Sequence, residues 1–211
     1  MKAVIFDLDG TLLYTLEDLY RSVNKALEHF NYPTRTLNEV RRFVGNGIRN
    51  LMTQACPENI PDFEECLSYF KEYYSLHSQD NTVPYEGIYE LLQELKTRNI
   101  PCAVVSNKFE AATKELGEKH FKGFFETVVG EGAGIPKKPD PAGVFEVMKR
   151  FNITDKNEIV LIGDAETDIA TAKNAGIKCI TVTWGFRDRD FLEAQGATIF
   201  ANTPKEVLEY I

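Results

Sequence analysis

Ala3-Val4-Ile5-Phe6-Asp7-Leu8-Asp9-Gly10-Thr11 opens the chain with an apolar, β-branched run that stops abruptly at a polar turn. Apolar at successive rather than alternate positions, such a run suits a strand covered on both faces, and hence a parallel sheet. Three similar runs follow at 102–105, 159–162 and 179–184, with a weaker one at 127–129. Helical patterns separate them. Ile88, Leu91, Leu92 and Leu95 keep i, i+3, i+4, i+7 spacing, and Asp140-Pro141 reads as N-cap and first residue of a helix carrying Val144, Met148 and Phe151. Thr203-Pro204 with Glu206 starts a last helix through residue 211. Strands alternating with helices imply a doubly wound α/β sheet. If strands one to three run outward and the chain then returns beside strand one, the strand order is 5-4-1-2-3.

One segment breaks the alternation. Residues 15–81 show no strand pattern, only amphipathic helix: Leu16, Leu19, Tyr20, Val23, Ala26, Leu27 and Phe30 form one apolar face, and Phe63, Cys66, Leu67, Phe70, Tyr73 and Tyr74 another. This is a helical insertion, leaving an α/β core over 1–14 and 82–211. The 211 residues allow one or two domains, and 43% hydrophobic with 27% charged residues excludes wholesale disorder. A net charge of −8 argues against a nucleic-acid partner. No apolar run approaches the roughly 18 residues of a membrane span, and the N-terminus lacks a signal-peptide pattern. A cytoplasmic protein with no membrane partner is expected; its oligomeric state is left open. Cys56, Cys66, Cys102 and Cys179 form no C-x-x-C pair, and His29, His77 and His120 are scattered, so neither zinc nor disulfides are expected.

Parallel sheets bind ligands beyond the carboxyl ends of their strands, near the switch in strand order. Strand one ends at Asp7-Leu8-Asp9-Gly10-Thr11, strand two at Ser106-Asn107-Lys108, and strand four at Gly163-Asp164-Ala165-Glu166-Thr167-Asp168; Lys137-Lys138-Pro139 precedes the helix leading into strand four. A lone Asp-Gly is usually a turn, and a lone lysine is usually solvated. Acid, small polar, lysine and acid at successive strand ends assemble one crevice. Clustered carboxylates repel unless a cation sits among them, and hard oxygen ligands with a phosphate suit Mg²⁺. Of Asp7 and Asp9, one can attack phosphorus while the other moves protons. Ser106, Asn107 and free N–H groups of the Asp9-Gly10-Thr11 turn are candidates for holding phosphoryl oxygens, with Lys138 stabilising developing charge.

These four stretches resemble, over essentially the whole chain, the haloacid dehalogenase superfamily. The insertion resembles that superfamily's helical cap domain, here 15–81. Phe43-Val44-Gly45-Asn46-Gly47, Tyr85-Glu86-Gly87 and Val105-Ser106-Asn107-Lys108 are similar to phosphoglycolate phosphatases. The resemblance implies Asp7 as nucleophile and Mg²⁺ ligand, and Asp9 as general acid/base that binds the metal through its backbone carbonyl. It further implies Ser106, Asn107 and Lys138 on the phosphoryl group, Asp164 as metal ligand, and Asp168 as orienter of the metal shell. Tyr14 and Ala165 depart from residues common there, an acid and a serine, without removing a group the mechanism needs. The implied activity is Mg²⁺-dependent hydrolysis of a small phosphorylated metabolite, 2-phosphoglycolate favoured, through an aspartyl-phosphate. The alternatives are a phosphosugar phosphatase or a β-phosphoglucomutase-like transferase on the same scaffold, and a non-enzymatic phospho-acceptor module. Asn46 and Arg49 are expected to read the leaving group, Arg49 being suited to a carboxylate.

Overall fold

The computed structural model describes residues 1–132 and 134–211. In chain order, β1 (Ala3–Phe6) and β2 (Leu13–Tyr14) are followed by α1 (Leu16–His29), α2 (Leu37–Phe43), α3 (Ile48–Ala55) and α4 (Phe63–His77). Then come β3 (Val83–Pro84), α5 (Ile88–Thr97), β4 (Cys102–Phe109), α6 (Glu110–Phe121), β5 (Phe125–Glu131) and α7 (Ala142–Arg150). The chain ends with β6 (Ile159–Gly163), α8 (Glu166–Ala175), β7 (Lys178–Val182), α9 (Arg189–Ala194), β8 (Phe200–Ala201) and α10 (Pro204–Val207). Two compact units result, Met1–Leu13 with Pro84–Ile211, and Tyr14–Val83. The divisions fall at 13/14 and 83/84, against 14/15 and 81/82 from the sequence pattern.

In the first unit six parallel strands stand in the order β5-β4-β1-β6-β7-β8. The five apolar runs keep the expected order 5-4-1-2-3, read from the opposite edge. A sixth strand, the two-residue β8, pairs with β7 at the rim. The first strand alternates its burial between two cores. Val4 and Phe6 pack with Ile88, Leu91, Leu92 and Leu95 of α5 and with Leu116 and Phe121 of α6. Ala3 and Ile5 pack with Val144, Val147 and Met148 of α7 and with Ala172 and Ala175 of α8. Both faces of the sheet are therefore covered, which is why its strands read as unbroken apolar runs. One helix limit differs from expectation: the last helix stops at Val207 rather than reaching residue 211. At α7, Asp140 Oδ1 accepts the Ala142 N–H at 2.8 Å and Pro141, at φ −77° and ψ 0°, accepts the Phe145 N–H on its carbonyl, so Asp140 caps the helix and Pro141 stands at its first turn as expected.

The second unit carries α1 to α4, with Tyr14 of β2 and Val83 of β3 at its ends. Leu16, Leu19, Val23, Ala26 and Leu27 of α1 are buried, as are Cys66, Leu67, Phe70 and Tyr74 of α4. Its two ends are tied by Asp18, whose carboxylate accepts from Asn81 N, Asn81 Nδ2 and Thr82 Oγ1 at 2.8–3.0 Å. Thr36 and Glu39 form a reciprocal capping box on α2. Among the described residues, no helix is long and apolar enough to cross a membrane.

Candidate active site

At the end of β1 the chain turns back on itself: Leu8 O accepts from the backbone N–H groups of Thr11, Leu12 and Leu13 at 3.0–3.3 Å. Gly10 makes the turn with φ +86°, a left-handed value costly for side chains with a Cβ. Its N–H goes to Leu13 O at 2.9 Å. The Gly10 and Thr11 amides are thus consumed inside the turn, which corrects the expectation that they hold phosphoryl oxygens. Both residues serve Asp164 instead. Thr11 Oγ1 donates to Asp164 Oδ1 at 2.9 Å, and a Cβ on Gly10 would lie 2.3 Å from Asp164 Oδ2.

The second strand end is not where its apolar run stops. β4 continues through Phe109, and Ser106, Asn107 and Lys108 are all buried. Pairing with β5 explains this: Val105 faces Val129 and Phe109 faces Glu131, so four steps on β4 oppose two on β5. This register shift interrupts the regular ladder, and the three polar side chains that fall within it are buried. Asn107 Nδ2 donates to Lys138 O at 3.0 Å, fastening this strand to the segment before α7. Lys108 Nζ lies 3.0 Å from Asp9 Oδ1.

Carboxylate oxygens of Asp7, Asp164 and Asp168, all buried, lie within 4.8 Å of one another. The ammonium of Lys138 sits among them, 2.9 Å from Asp7 Oδ1 and 2.6 Å from Asp168 Oδ1. Burial disfavours that ammonium, but the two carboxylates outweigh burial and hold its pKa above the ordinary lysine value. Asp7 goes the other way. Desolvation, only partly offset by Lys138, combines with repulsion from Asp168 and Asp164 to push its pKa up to about 8. Asp164 is pushed up to about 7, chiefly by desolvation and then by Asp168, against hydrogen bonds from Phe186 N and Thr11. Asp168 is fully committed, Oδ1 to Lys138 and Oδ2 to the N–H of Ala165 at 3.1 Å. Asp7 Oδ1 likewise takes both the Leu8 N–H, at 2.7 Å, and Lys138. Asp9 stands outside the acidic cluster, paired with Lys108.

Further contributors come from the segment that follows β7. The loop after β7 closes on Asp164: Phe186 N donates to its Oδ2 at 2.7 Å, and a Cβ on Gly185 would lie 2.2 Å from Asp164 Cβ. Trp184 Nε1 holds Thr11 O at 3.0 Å. The half-buried Arg187–Glu166 pair, at 2.8 and 3.1 Å, adds a cation behind Asp164. Gly185→Ala therefore forces Asp164 out of place. The expected cost is about 1–3 kcal/mol of stability by overpacking, with weakened binding of any cation Asp164 holds. Urea denaturation and a cation titration on the same variant check both.

Asn46 and Arg49 belong to the helical unit. Arg49 donates to both oxygens of Glu64, at 2.7 and 2.8 Å, with its guanidinium 5.6 Å from the Phe63 ring centre. A substrate carboxylate would have to displace Glu64 to use it.

The profile of the haloacid dehalogenase-like hydrolases matches residues 4–182. The phosphoglycolate phosphatase of Pseudomonas putida is 31% identical over 99% of this chain and 76% of its own length. That of Vibrio parahaemolyticus is 30% identical over 100% and 96%. Among solved structures, a candidate phosphoglycolate phosphatase of Lactobacillus delbrueckii subsp. bulgaricus superposes with a TM-score of 0.94 at 34% identity, covering 100% of this chain and 98% of that one. With the strand order, the strand-end carboxylates and these likenesses together, the chain belongs to the haloacid dehalogenase-like hydrolases, as a phosphoglycolate phosphatase-like member.

Proposed function

We propose that the protein is a Mg²⁺-dependent phosphatase that hydrolyses a small phosphorylated metabolite, 2-phosphoglycolate favoured, in the cytoplasm. The observation carrying this reading is the buried trio Asp7, Asp164 and Asp168 with a single lysine among them. Three buried carboxylates share one ammonium, and desolvation, with repulsion between the carboxylates added to it, raises the pKa of Asp7 and Asp164. An all-oxygen donor set with surplus charge fits a small hard divalent cation. Asp7, Asp164 and the Asp9 carbonyl would hold it, and Asp168 supports the shell from behind. When bound, Mg²⁺ offsets the ester's negative charge so that a carboxylate can approach phosphorus.

The chain's own groups do the rest. With Oδ1 of Asp7 held by Leu8 N and Lys138, Oδ2 is the attacking oxygen. The Asp7–phosphorus bond forms as the ester P–O bond breaks, and Asp9 protonates the departing oxygen. Asp9 then takes a proton from water as the water attacks the aspartyl-phosphate, returning Asp7 and releasing inorganic phosphate. Ser106, Asn107 and Lys138 hold phosphoryl oxygens and stabilise charge that builds on them. The helical unit acts as the cap that selects the leaving group, with Asn46 and Arg49 as its first residues to test.

Phosphate release from phosphoglycolate, phosphosugars, nucleotides and p-nitrophenyl phosphate, with and without Mg²⁺, tests the reading. Mg²⁺-dependent release, fastest on phosphoglycolate, supports it; a phosphosugar preference moves the substrate, and no release on any substrate ends it. A stability measurement bears on the cation separately. Asp7 has a folded pKa raised from 3.8 to about 8, so its contribution is complete at low pH and is lost as pH rises across that window. In EDTA, wild type should therefore lose stability relative to Asp7→Asn as pH rises from about 4 to about 8. Saturating Mg²⁺ should flatten that difference, by binding the ionised form.

A further inference from the structure

We propose that Lys108 is a positioning residue for Asp9, fixing the acid/base carboxylate in one orientation; this rests on the phosphatase reading above. The two residues are 99 apart in sequence, yet Lys108 Nζ lies 3.0 Å from Asp9 Oδ1, with side chains 4% and 16% exposed. A lysine ammonium is costly to withdraw from water unless paired, and the apolar strand that carries it gains no packing from the charge. The backbone is built to deliver it. After Val105 the pairing with β5 shifts register, and Ser106, Asn107 and Lys108, all buried, lie in the shifted stretch. Two hydrogen bonds hold the bulge, Lys108 N donating to Ser106 Oγ at 3.2 Å and Thr113 Oγ1 to Lys108 O at 3.3 Å, and Gly130 lets the backbone pack so closely that a Cβ there would lie 2.8 Å from Lys108 O.

The two aspartates at the end of β1 thus each meet a buried lysine, Asp7 sharing Lys138 with Asp168 and Asp9 meeting Lys108. The two lysines are placed differently. Lys138 lies inside the acidic cluster, whereas Lys108 meets Asp9, which stands outside it. A proton-transfer carboxylate loses rate steeply when its position relaxes, by up to about 100-fold for a displacement of about 1 Å.

The test is steady-state hydrolysis of p-nitrophenyl phosphate with saturating Mg²⁺ by wild type, Lys108→Met, Lys108→Gln, Lys108→Arg, Asp9→Asn and the Lys108→Met/Asp9→Asn double variant. Melting curves of every variant accompany it. The expected result is a kcat lowered about 10- to 100-fold in Lys108→Met and Lys108→Gln with KM unchanged. Lys108→Arg recovers most of the loss, and Lys108→Met adds no further loss once Asp9 is asparagine. The double variant buries neither charge, so its folding does not depend on the pair. An unchanged kcat in Lys108→Met, a rise in KM alone, or a full additional loss in the double variant would overturn the assignment. A wild type that releases no product removes both this assignment and the reading beneath it, whereas an active wild type indifferent to Lys108 removes only this one.

Discussion

Asp7→Asn abolishes turnover, lowering kcat on the order of 10⁴-fold or more, while the protein stays folded. The size of the loss follows from chemistry: an amide does not attack phosphorus, and removal of a nucleophile is among the largest single-residue effects known in enzymes. Retention of the fold follows from packing. The asparagine carbonyl can still accept from Leu8 N and Lys138, which both address Oδ1 of Asp7. The substitution also removes one of three buried negative charges, so metal-free stability should not fall. Steady-state kinetics with a melting curve on the same sample separate the two effects. Turnover within tenfold of wild type would remove Asp7 from the chemistry.

Lys138→Met has the largest expected effect on stability. The ammonium lies 2.9 Å from Asp7 and 2.6 Å from Asp168, and its side chain is 2% exposed. Removing one partner of a buried ion pair leaves uncompensated charge and costs about 3–5 kcal/mol. Here two carboxylates are left, with Asp164 close by. Urea denaturation in EDTA should show that loss, and Lys138→Met/Asp168→Asn should recover much of it by removing one stranded charge. Saturating Mg²⁺ should recover part of the stability through Asp7 and Asp164. Activity is expected not to return, because the proposed hold of Lys138 on the phosphoryl oxygens is gone. A loss below about 1 kcal/mol would mean that the lysine is not the cation that holds this cluster together.

What the sequence discloses depends on how local its cause is. β1, β4, β6 and β7 are covered on both faces, so burial is written into consecutive residues and the runs can be read directly. β8 has two residues at the sheet rim, too few for a pattern, and escapes notice. Asp7, Asp164 and Lys138 are legible because strand ends in a parallel sheet converge, so topology alone gathers them. Lys108 is different. Its direction is set by a bulge, and the bulge exists only through pairing with β5; a lysine directly after Ser106-Asn107 at the end of an apolar run was its sole outward sign. Gly185 and Phe186 acquire their role when a loop from β7 folds over Asp164, a contact between residues more than twenty positions apart. The Gly10 and Thr11 amides read as free in a polar turn, but the carbonyls of Leu13 and Leu8 take them. Hydrogen-bond accounting within a turn requires its folded path, which residue types alone do not give.

The most direct test of the central claim is to look for phosphate on Asp7. In the proposed mechanism Asp9→Asn keeps the nucleophile and lacks the group that activates water, and p-nitrophenolate departs without needing a proton. Mixing that variant with p-nitrophenyl phosphate and Mg²⁺, quenching in acid and mapping the product by mass spectrometry reads the intermediate itself. The account predicts a burst of about one equivalent of p-nitrophenolate per enzyme, a phosphoryl group on the peptide carrying Asp7, and loss of both in Asp7→Asn/Asp9→Asn. A wild type that turns over while this variant carries no label, or carries it on another residue, would contradict the account.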